Sequence, residues 1–569
     1  MLRHDQRRTA ARVFLAILLT AIVLLPIVSV AATEPAKKKA PARKSLAVQI
    51  QDVLNQPQLT RAHWGIHAVD AETGKVLYSL NADQLFLPAS NAKLFTTAAV
   101  LATAGPDYRF RTTVESAAKP DADGRLAGDL VLVGRGDPNL SSRVLPYELK
   151  TERTSSPIQV LEELVDQVAR NGLRSVSGDL LADDTFYAAE RLAPGWAQDD
   201  LQWIDGAPVS ALTFNDNVDL LNIQPGAQAG DKAAISWSPD SAYYTIDNRI
   251  VTTAQGTPRK IGIHRDPGGK TITVWGTIPL GDRGMKEPMA VDDPAEFTAH
   301  LFLTLLQQRG ITVAGKARAR HADIAQFYDQ APPVAATAAT PIPASTVTTT
   351  TALAASSTPS AAGNEASSST PNASSPTSSQ AQAVVLAEHV SLPLIEDVRV
   401  TNKTSQNLHA ELALHLVGKL AGFSGSFEGG SAAVKQFLLQ AGVKEEEFVL
   451  LDGSGLSRRD LVTPNAVVQL LLYALHQPWG TAYEGSLPIA AVDGSLSERF
   501  LNTPSAGLIH AKTGTLSHVN GLSGYGQTVQ GRKFVFSIFC NNHSLGSAKI
   551  LPVIDAVVQL LVTEGDGVK

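Results

Sequence analysis

The chain has 569 residues, a length that covers roughly three or four domains of about 150 residues each. With 44% apolar and 18% charged residues, it is neither one small module nor disordered throughout, since there is apolar side chain enough for large cores. A balance of 48 basic against 54 acidic residues, net −6, argues against a nucleic-acid backbone as the main partner, and the single cysteine, Cys540, excludes an internal disulfide or a thiolate zinc site.

Arg3, Arg7, Arg8 and Arg12 precede an uncharged run from Val13 to Ala32 that ends in small residues. Residues 1–32 therefore read as a secretory signal, which predicts export to the periplasm or cell envelope. The run is also long enough to stay as a membrane anchor; Pro26 and the small-residue end favour cleavage. Residues 33–45, with Lys37, Lys38, Lys39, Arg43 and Lys44 among Ala and Pro, read as a tether.

His63 to Tyr78 reads as a hairpin around Glu72-Thr73-Gly74. A helix is expected from near Ser90, after Pro88, with Leu94, Phe95, Ala98, Leu101 and Ala102 on one face and a stop at Gly105-Pro106. From 107 to 329 short strand-like runs alternate with turns, among them Leu130–Val133 and Thr271–Trp275, with one helical stretch from Ile158 to Arg170. That is an inserted β-rich region, read as two subdomains with their own core. Residues 330–384 are Ala, Thr, Ser and Pro with almost no charge and no aromatic residue. Such a segment cannot offset its chain entropy by burial, so it is expected to be disordered and to leave from a surface loop.

Past it, Asn407 to Leu420 carries Leu408, Leu412, Leu416 and Leu420 at four-residue spacing, a helical stripe. Leu508–Lys512, Gly521–Tyr525 and Phe534–Phe539 read as strands, the last placing Cys540 in the interior, and Ala548 to Val562 as a closing helix. Residues 46–106 and 385–569 together form one α+β unit, an antiparallel sheet covered by helices.

Three short motifs carry chemistry. Ser90-Asn91-Ala92-Lys93 opens the first helix, where residues i and i+3 share a face and an amine can activate a hydroxyl. The bland alternative is a helix cap beside a solvated lysine, and the pattern recurs at Ser116-Ala117-Ala118-Lys119, where Pro120 spoils helical geometry. Ser405-Gln406-Asn407 starts the Leu-striped helix; alone it is no more than capping residues. Lys512-Thr513-Gly514-Thr515 ends a strand, where a lysine, a hydroxyl and a glycine make an anion site or merely a turn.

In this order the motifs are those of penicillin-binding proteins and serine β-lactamases. The chain resembles most the D-alanyl-D-alanine carboxypeptidase/endopeptidase group of low-molecular-mass penicillin-binding proteins, the S13 peptidase family. Further likeness lies in Asn81-Ala82-Asp83 with Pro88-Ala89-Ser90, Gly134–Pro138, Ala207–Leu212 and Asp452–Arg458. With Gln406 in place of Asp the middle motif fits the looser Ser-x-Asn form of the penicillin-binding proteins, and the Ala/Thr/Ser/Pro segment is no part of the family pattern. The long stretch between Lys93 and Ser405 sets the chain apart from compact class A β-lactamases.

The resemblance implies a serine-type D-Ala-D-Ala carboxypeptidase, with DD-endopeptidase activity, acting on peptidoglycan stem peptides and acylated by β-lactams, with no cofactor or metal. Ser90 is then the nucleophile, Lys93 its base, pushed toward the neutral amine by Lys512 together with desolvation, and Ser405 a proton relay between the lysines. Asn407 holds the substrate's peptide carbonyl, Lys512, Thr513 and Gly514 take the terminal carboxylate, and the N–H groups of Ser90 and Thr515 form the oxyanion hole. Asp200, in Gly195–Asp200, matches the acidic position that faces the cationic end of diaminopimelate; a surface turn is the alternative. Asp137 reads as a turn residue and His510 as a strand-face side chain. A β-lactamase or esterase on the same fold, and a non-catalytic peptidoglycan-binding protein, are the rival readings.

Overall fold

Five strands from opposite ends of the chain form one antiparallel sheet in the computed structural model, which describes residues 44–141, 143–145, 147, 156–325 and 383–564. β1 (His63–Asp70) and β2 (Val76–Leu80) make the N-terminal hairpin, and β3 (Ile509–Leu516), β4 (Val519–Gln527) and β5 (Lys533–Asn541) come from the C-terminal part, in the order β3-β4-β5-β1-β2. The hairpin docks on β5 with His63 opposite Asn541 and Asp70 opposite Phe534.

Side chains alternate across a strand, so each strand feeds two cores. Trp64, Ile66 and Ala68 of β1 and Phe534, Phe536, Ile538 and Cys540 of β5 pack with α1 (Leu46–Leu54) and the closing helix α8 (Ser547–Glu564). Burial pushes the Cys540 thiol up to about 12, as suits an inert interior residue. Val69, Val535 and Phe539 face the opposite core, built from α2 (Ala92–Ala104), α3 (Leu394–Lys403), α4 (Asn407–Leu420), α5 (Phe427–Gln440), α6 (Pro464–Leu475) and α7 (Gly480–Ser486). The α+β reading holds: an antiparallel sheet covered by helices.

α2 runs through the middle of this second core. Every residue from Ala92 to Leu101 is buried, and the helix stops at Gly105, whose φ of 80° few side chains tolerate. A stripe was therefore the wrong pattern for it: a helix surrounded by others is apolar on all sides, and Ala102, expected on the core face, is exposed. On α4, Leu408, Leu412 and Leu416 are buried, but Leu420 is 43% exposed where the helix runs out of the core.

The insert holds two separate apolar cores. One lies against a five-stranded mixed sheet ordered Ala317–Arg320, Leu180–Asp183, Leu130–Val133, Arg111–Ser116, Val384–Val390. It is covered by two helices, Gln159–Arg170 and Pro294–Gln308, where the sequence pattern gave only the first. The second has Phe297, Thr298 and Phe302, poor helix formers, and owes its start to Asp293, which accepts from Glu296 N at 3.0 Å just before Pro294. The other core joins Val218–Gln224 with Thr245–Thr253 and Thr271–Pro279.

Val384–Val390 pairs antiparallel with Arg111–Ser116, so the first strand past the low-complexity segment still belongs to the insert's sheet. The chain rejoins the main body at Leu394, not at 385 as expected, because Leu386 and Ala387 complete the insert's core while Leu394 enters the helical one. The predicted signal, the tether apart from Lys44 and Ser45, and the predicted disordered segment apart from its last two residues lie outside the described residues. Its two flanking strands are the opposite edges of the insert's sheet. Among the described residues no helix is long and apolar enough to cross a membrane.

Candidate active site

Ser90 stands on a short 3-10 turn, Ala89–Asn91, and the α-helix proper begins at Ala92. The tighter turn eclipses residues three apart, and Lys93 Nζ donates to Ser90 Oγ at 2.9 Å. Ala89 is forced to φ 48°, a left-handed conformation unusual for a side-chain-bearing residue. Two distant glycines close around this turn. A Cβ on Gly455 would overlap the Ala89 carbonyl oxygen, and one on Gly514 would come 2.5 Å from Asn91 Nδ2.

Lys93 is fully buried, and its three donors are all used: Ser90 Oγ, Asn407 Oδ1 at 2.7 Å and the Ser454 carbonyl at 2.8 Å. None is a carboxylate. Burial lowers the amine to about 8, against the opposing pull of Asp452, Glu411 and Asp205. Lys512 and desolvation together were expected to do this, and desolvation leads; Lys512 is itself lowered far below the usual lysine range, by burial first and then by Lys93.

Ser405 precedes α4 at φ 64°, and Gln406, not Ser405 or Asn407, caps the helix by accepting from Leu408 N at 2.8 Å. Gln406 thus takes over the capping for which Ser and Asn are usually favoured, and frees both neighbours for the cleft. Lys512 Nζ donates to Ser405 Oγ at 2.8 Å and to the Thr513 carbonyl at 3.0 Å. Asn407 Nδ2 donates to the Asp205 carbonyl of the insert at 2.9 Å. The lysines are buried while Ser90, Ser405, Asn407 and Thr513 remain half-buried, open to a substrate.

Lys512-Thr513-Gly514-Thr515 lies within β3, the edge strand, rather than at its end. Ala511 N donates outward to the Pro488 carbonyl, and the pleat period of two turns the N–H groups of Thr513 and Thr515 to that same outer side. Gly514 lets this edge approach the Ser90 turn.

Residues 46–343 and 334–563 match the model of the D-Ala-D-Ala carboxypeptidase 3 (S13) family. The chain belongs to this S13 family. It is 34% identical to a D-alanyl-D-alanine carboxypeptidase of Actinomadura sp. (strain R39) over 98% of this chain and 90% of that one. Identity to the D-alanyl-D-alanine carboxypeptidase DacB of Haemophilus influenzae is 23%, over 85% and 86% of the two chains. In structure it is similar to penicillin binding protein 4 (dacB) of H. influenzae, with TM-score 0.71, 21% identity, and 90% of this chain and 99% of that one covered.

Several groups of this S13 site escaped the sequence reading. The Asp452–Arg458 stretch was quoted only as likeness, yet it supplies the Ser454 carbonyl to Lys93. Buried Glu411 holds that loop by accepting from Gly453 N at 2.7 Å and Ser454 N at 2.9 Å. Its carboxyl is pushed up to about 8 by burial and by Asp452, against Lys93. Asp452 in turn accepts from Gly455 N and Ser457 N, both at 2.7 Å, and from Trp196 Nε1 of the insert at 2.9 Å. Glu411 was legible only as a charge inside the Leu stripe, four residues past Asn407. Ser495, whose Oγ lies 2.7 Å from Thr513 Oγ1, gave no signal at all.

Asp200 sits half-buried on the short turn Gln198–Asp200, next to the turn Ile204–Gly206 that carries Asp205. Burial and then Asp199 raise its carboxyl, with Arg458 opposing. Asp137 accepts from Asn139 N at 3.0 Å as a turn residue does, but it is also buried, 3.6 Å from His389. His510 lies on β3, 3.8 Å from Glu484.

Proposed function

We propose that this protein is an exported serine D-Ala-D-Ala carboxypeptidase, with DD-endopeptidase activity, that cleaves peptidoglycan stem peptides through an acyl-enzyme and is acylated by penicillins. The observation that carries the reading is the Ser90–Lys93 hydrogen bond of 2.9 Å made by a buried amine with no carboxylate in contact. An amine lowered toward neutrality by burial accepts a proton at moderate pH, which is what a serine nucleophile needs. Membership of the S13 family, and the name of the Actinomadura relative, supply the substrate class.

In acylation Ser90 Oγ attacks the carbonyl of the penultimate D-alanine as its proton passes to Lys93 Nζ. The carbonyl oxygen becomes an oxyanion between the N–H groups of Ser90 and Thr515, each such donor contributing about 3–4 kcal/mol in enzymes of this kind. Ser405, held by Lys512, relays to the leaving amine the proton that Lys93 took from Ser90, and the C–N bond breaks. Asn407 is a lysine ligand first, through Oδ1, and offers its remaining amide hydrogen to the substrate's peptide carbonyl. Lys512, Thr513 and Gly514 border the terminal carboxylate. Water then attacks the ester, with Lys93 again taking the proton. Asp200, at the rim, reads the cationic end of a diaminopimelate side chain.

Incubation with a labelled penicillin followed by peptide mass mapping tests the acyl-enzyme: a stable adduct on Ser90 is expected, and folded protein without one would overturn the reading. Digestion of isolated muropeptides should release D-alanine and split crosslinked dimers. Fast nitrocefin turnover with intact stem peptides would identify a β-lactamase instead.

A further inference from the structure

Beside the motif residues, one hydroxyl has no assigned task. Ser495 belongs to the short turn Gly494–Leu496, is exposed, and stands 2.7 Å from the hydroxyl of Thr513. The turn is held firmly for a surface feature. Asp493 makes a buried ion pair with Lys403 at 2.5 Å and accepts from Ile489 N at 2.8 Å. Gly494, at φ 57°, packs where a Cβ would come 2.7 Å from the Lys403 carbonyl oxygen, and its N–H donates to Tyr147 OH of the insert at 3.2 Å. Lys403 lies two residues before Ser405. The turn is thus fastened to the segment that carries Ser405 and to the insert, and it faces β3 across the Ser495–Thr513 bond.

Two hydroxyls that share one hydrogen bond keep one hydrogen over. A carboxylate is an acceptor only, so its arrival selects the arrangement in which Ser495 donates to Thr513 Oγ1 and Thr513 donates to the anion. Hydrogen bonds in such a chain polarise one another, which strengthens the last one. We propose that Ser495 is a positioning residue for the free C-terminal carboxylate of the substrate, fixing the Thr513 hydroxyl as a donor to it. This deepens the DD-peptidase reading and rests on it.

The test uses a pair of acyl-D-Ala thioester substrates, one ending in a free carboxylate and one in its methyl ester. Wild-type protein should prefer the free acid. Ser495→Ala should raise KM for the free acid about five- to tenfold, as for loss of one hydrogen bond between neutral groups, change kcat little, and shrink the preference over the ester by the same factor. Ser495→Thr should restore both. Because Ser495 is exposed, thermal melting of the variants should match wild type. An unchanged preference in Ser495→Ala, or equal losses on both substrates, overturns the role of Ser495. Failure of wild-type protein to turn over either substrate would instead sink the DD-peptidase reading, and equal wild-type turnover of both would sink the carboxylate site.

Discussion

Two buried nitrogen centres, Lys93 on α2 and His409 on α4, meet at helix α4 and are handled in opposite ways. At its start, Asn407 binds Lys93, a buried amine surrounded by a hydroxyl, an amide oxygen and a carbonyl, and lowered to about 8. Two residues on, His409 is equally buried but lies 2.7 Å from Asp397 and 3.2 Å from Asp216. Burial alone would lower the imidazole; the two carboxylates outweigh it and raise it, which favours the cation. Asp216 comes from the insert, in the run Asn215–Asn217 where every φ is positive, so this ion pair joins insert to body. Direct carboxylate contact fixes a charge for structure, and neutral dipoles around an amine leave a proton free to move.

Substitution separates the two centres. Lys93→Met should cut penicillin acylation on the order of 10³-fold yet cost no more than about 1–2 kcal/mol of stability, because removing a desolvated amine offsets part of what the Ser454 carbonyl and Asn407 Oδ1 lose with their donor. A large loss of stability would break the contrast. His409→Gln should do the reverse, destabilising by about 3–5 kcal/mol in denaturant titration because buried Asp397 loses its cation while Asp216 keeps Arg143. Its acylation rate, measured well below the new melting point, should stay within a few-fold of wild type.

Glu411→Gln tests what tunes Lys93 from a distance. Glu411 itself titrates at about 8, so removing it takes away only the part of a negative charge that it carries there and that favours the ammonium. The acid limb of acylation should move to lower pH by less than about one unit, and a move upward would contradict the assignment. The smallest effect is expected at His321, an insert counterpart of His409. It is hydrogen-bonded to Asp184 at 2.9 Å and Asp293 at 3.2 Å and raised to about 10 by them. A raised imidazole stabilises fully below its unfolded value near 6.5 and loses that as pH rises through about 10. His321→Gln should therefore cost about 1 kcal/mol at pH 6, and nothing above pH 10.

The sheet and the motif residues were legible in the sequence because each follows from local pattern: period two in β5, Ser-x-x-Lys at a helix start, Lys-Thr-Gly on a strand. What escaped depends on contacts remote in the chain. The Ser454 carbonyl and the Glu411 carboxylate reach Lys93 only after α2 and α4 pack together, and backbone oxygens carry no residue signature. Val384–Val390 looked like the start of the second half because the low-complexity segment ends there, while its partner strand, Arg111–Ser116, lies far upstream. Gln406 as cap was visible in sequence only as a departure from Ser-Asp-Asn, and its effect, freeing Ser405 and Asn407, needed the geometry.

The rate of Ser90 acylation by a penicillin as a function of pH tests the central claim most directly. Below its pKa Lys93 is an ammonium and cannot accept the serine proton, so the second-order rate should fall as pH falls through about 8 and level off above it. A flat profile from about pH 6 to about 10, or a limb near 6.5 as for an ordinary histidine, would contradict a buried lysine as the base.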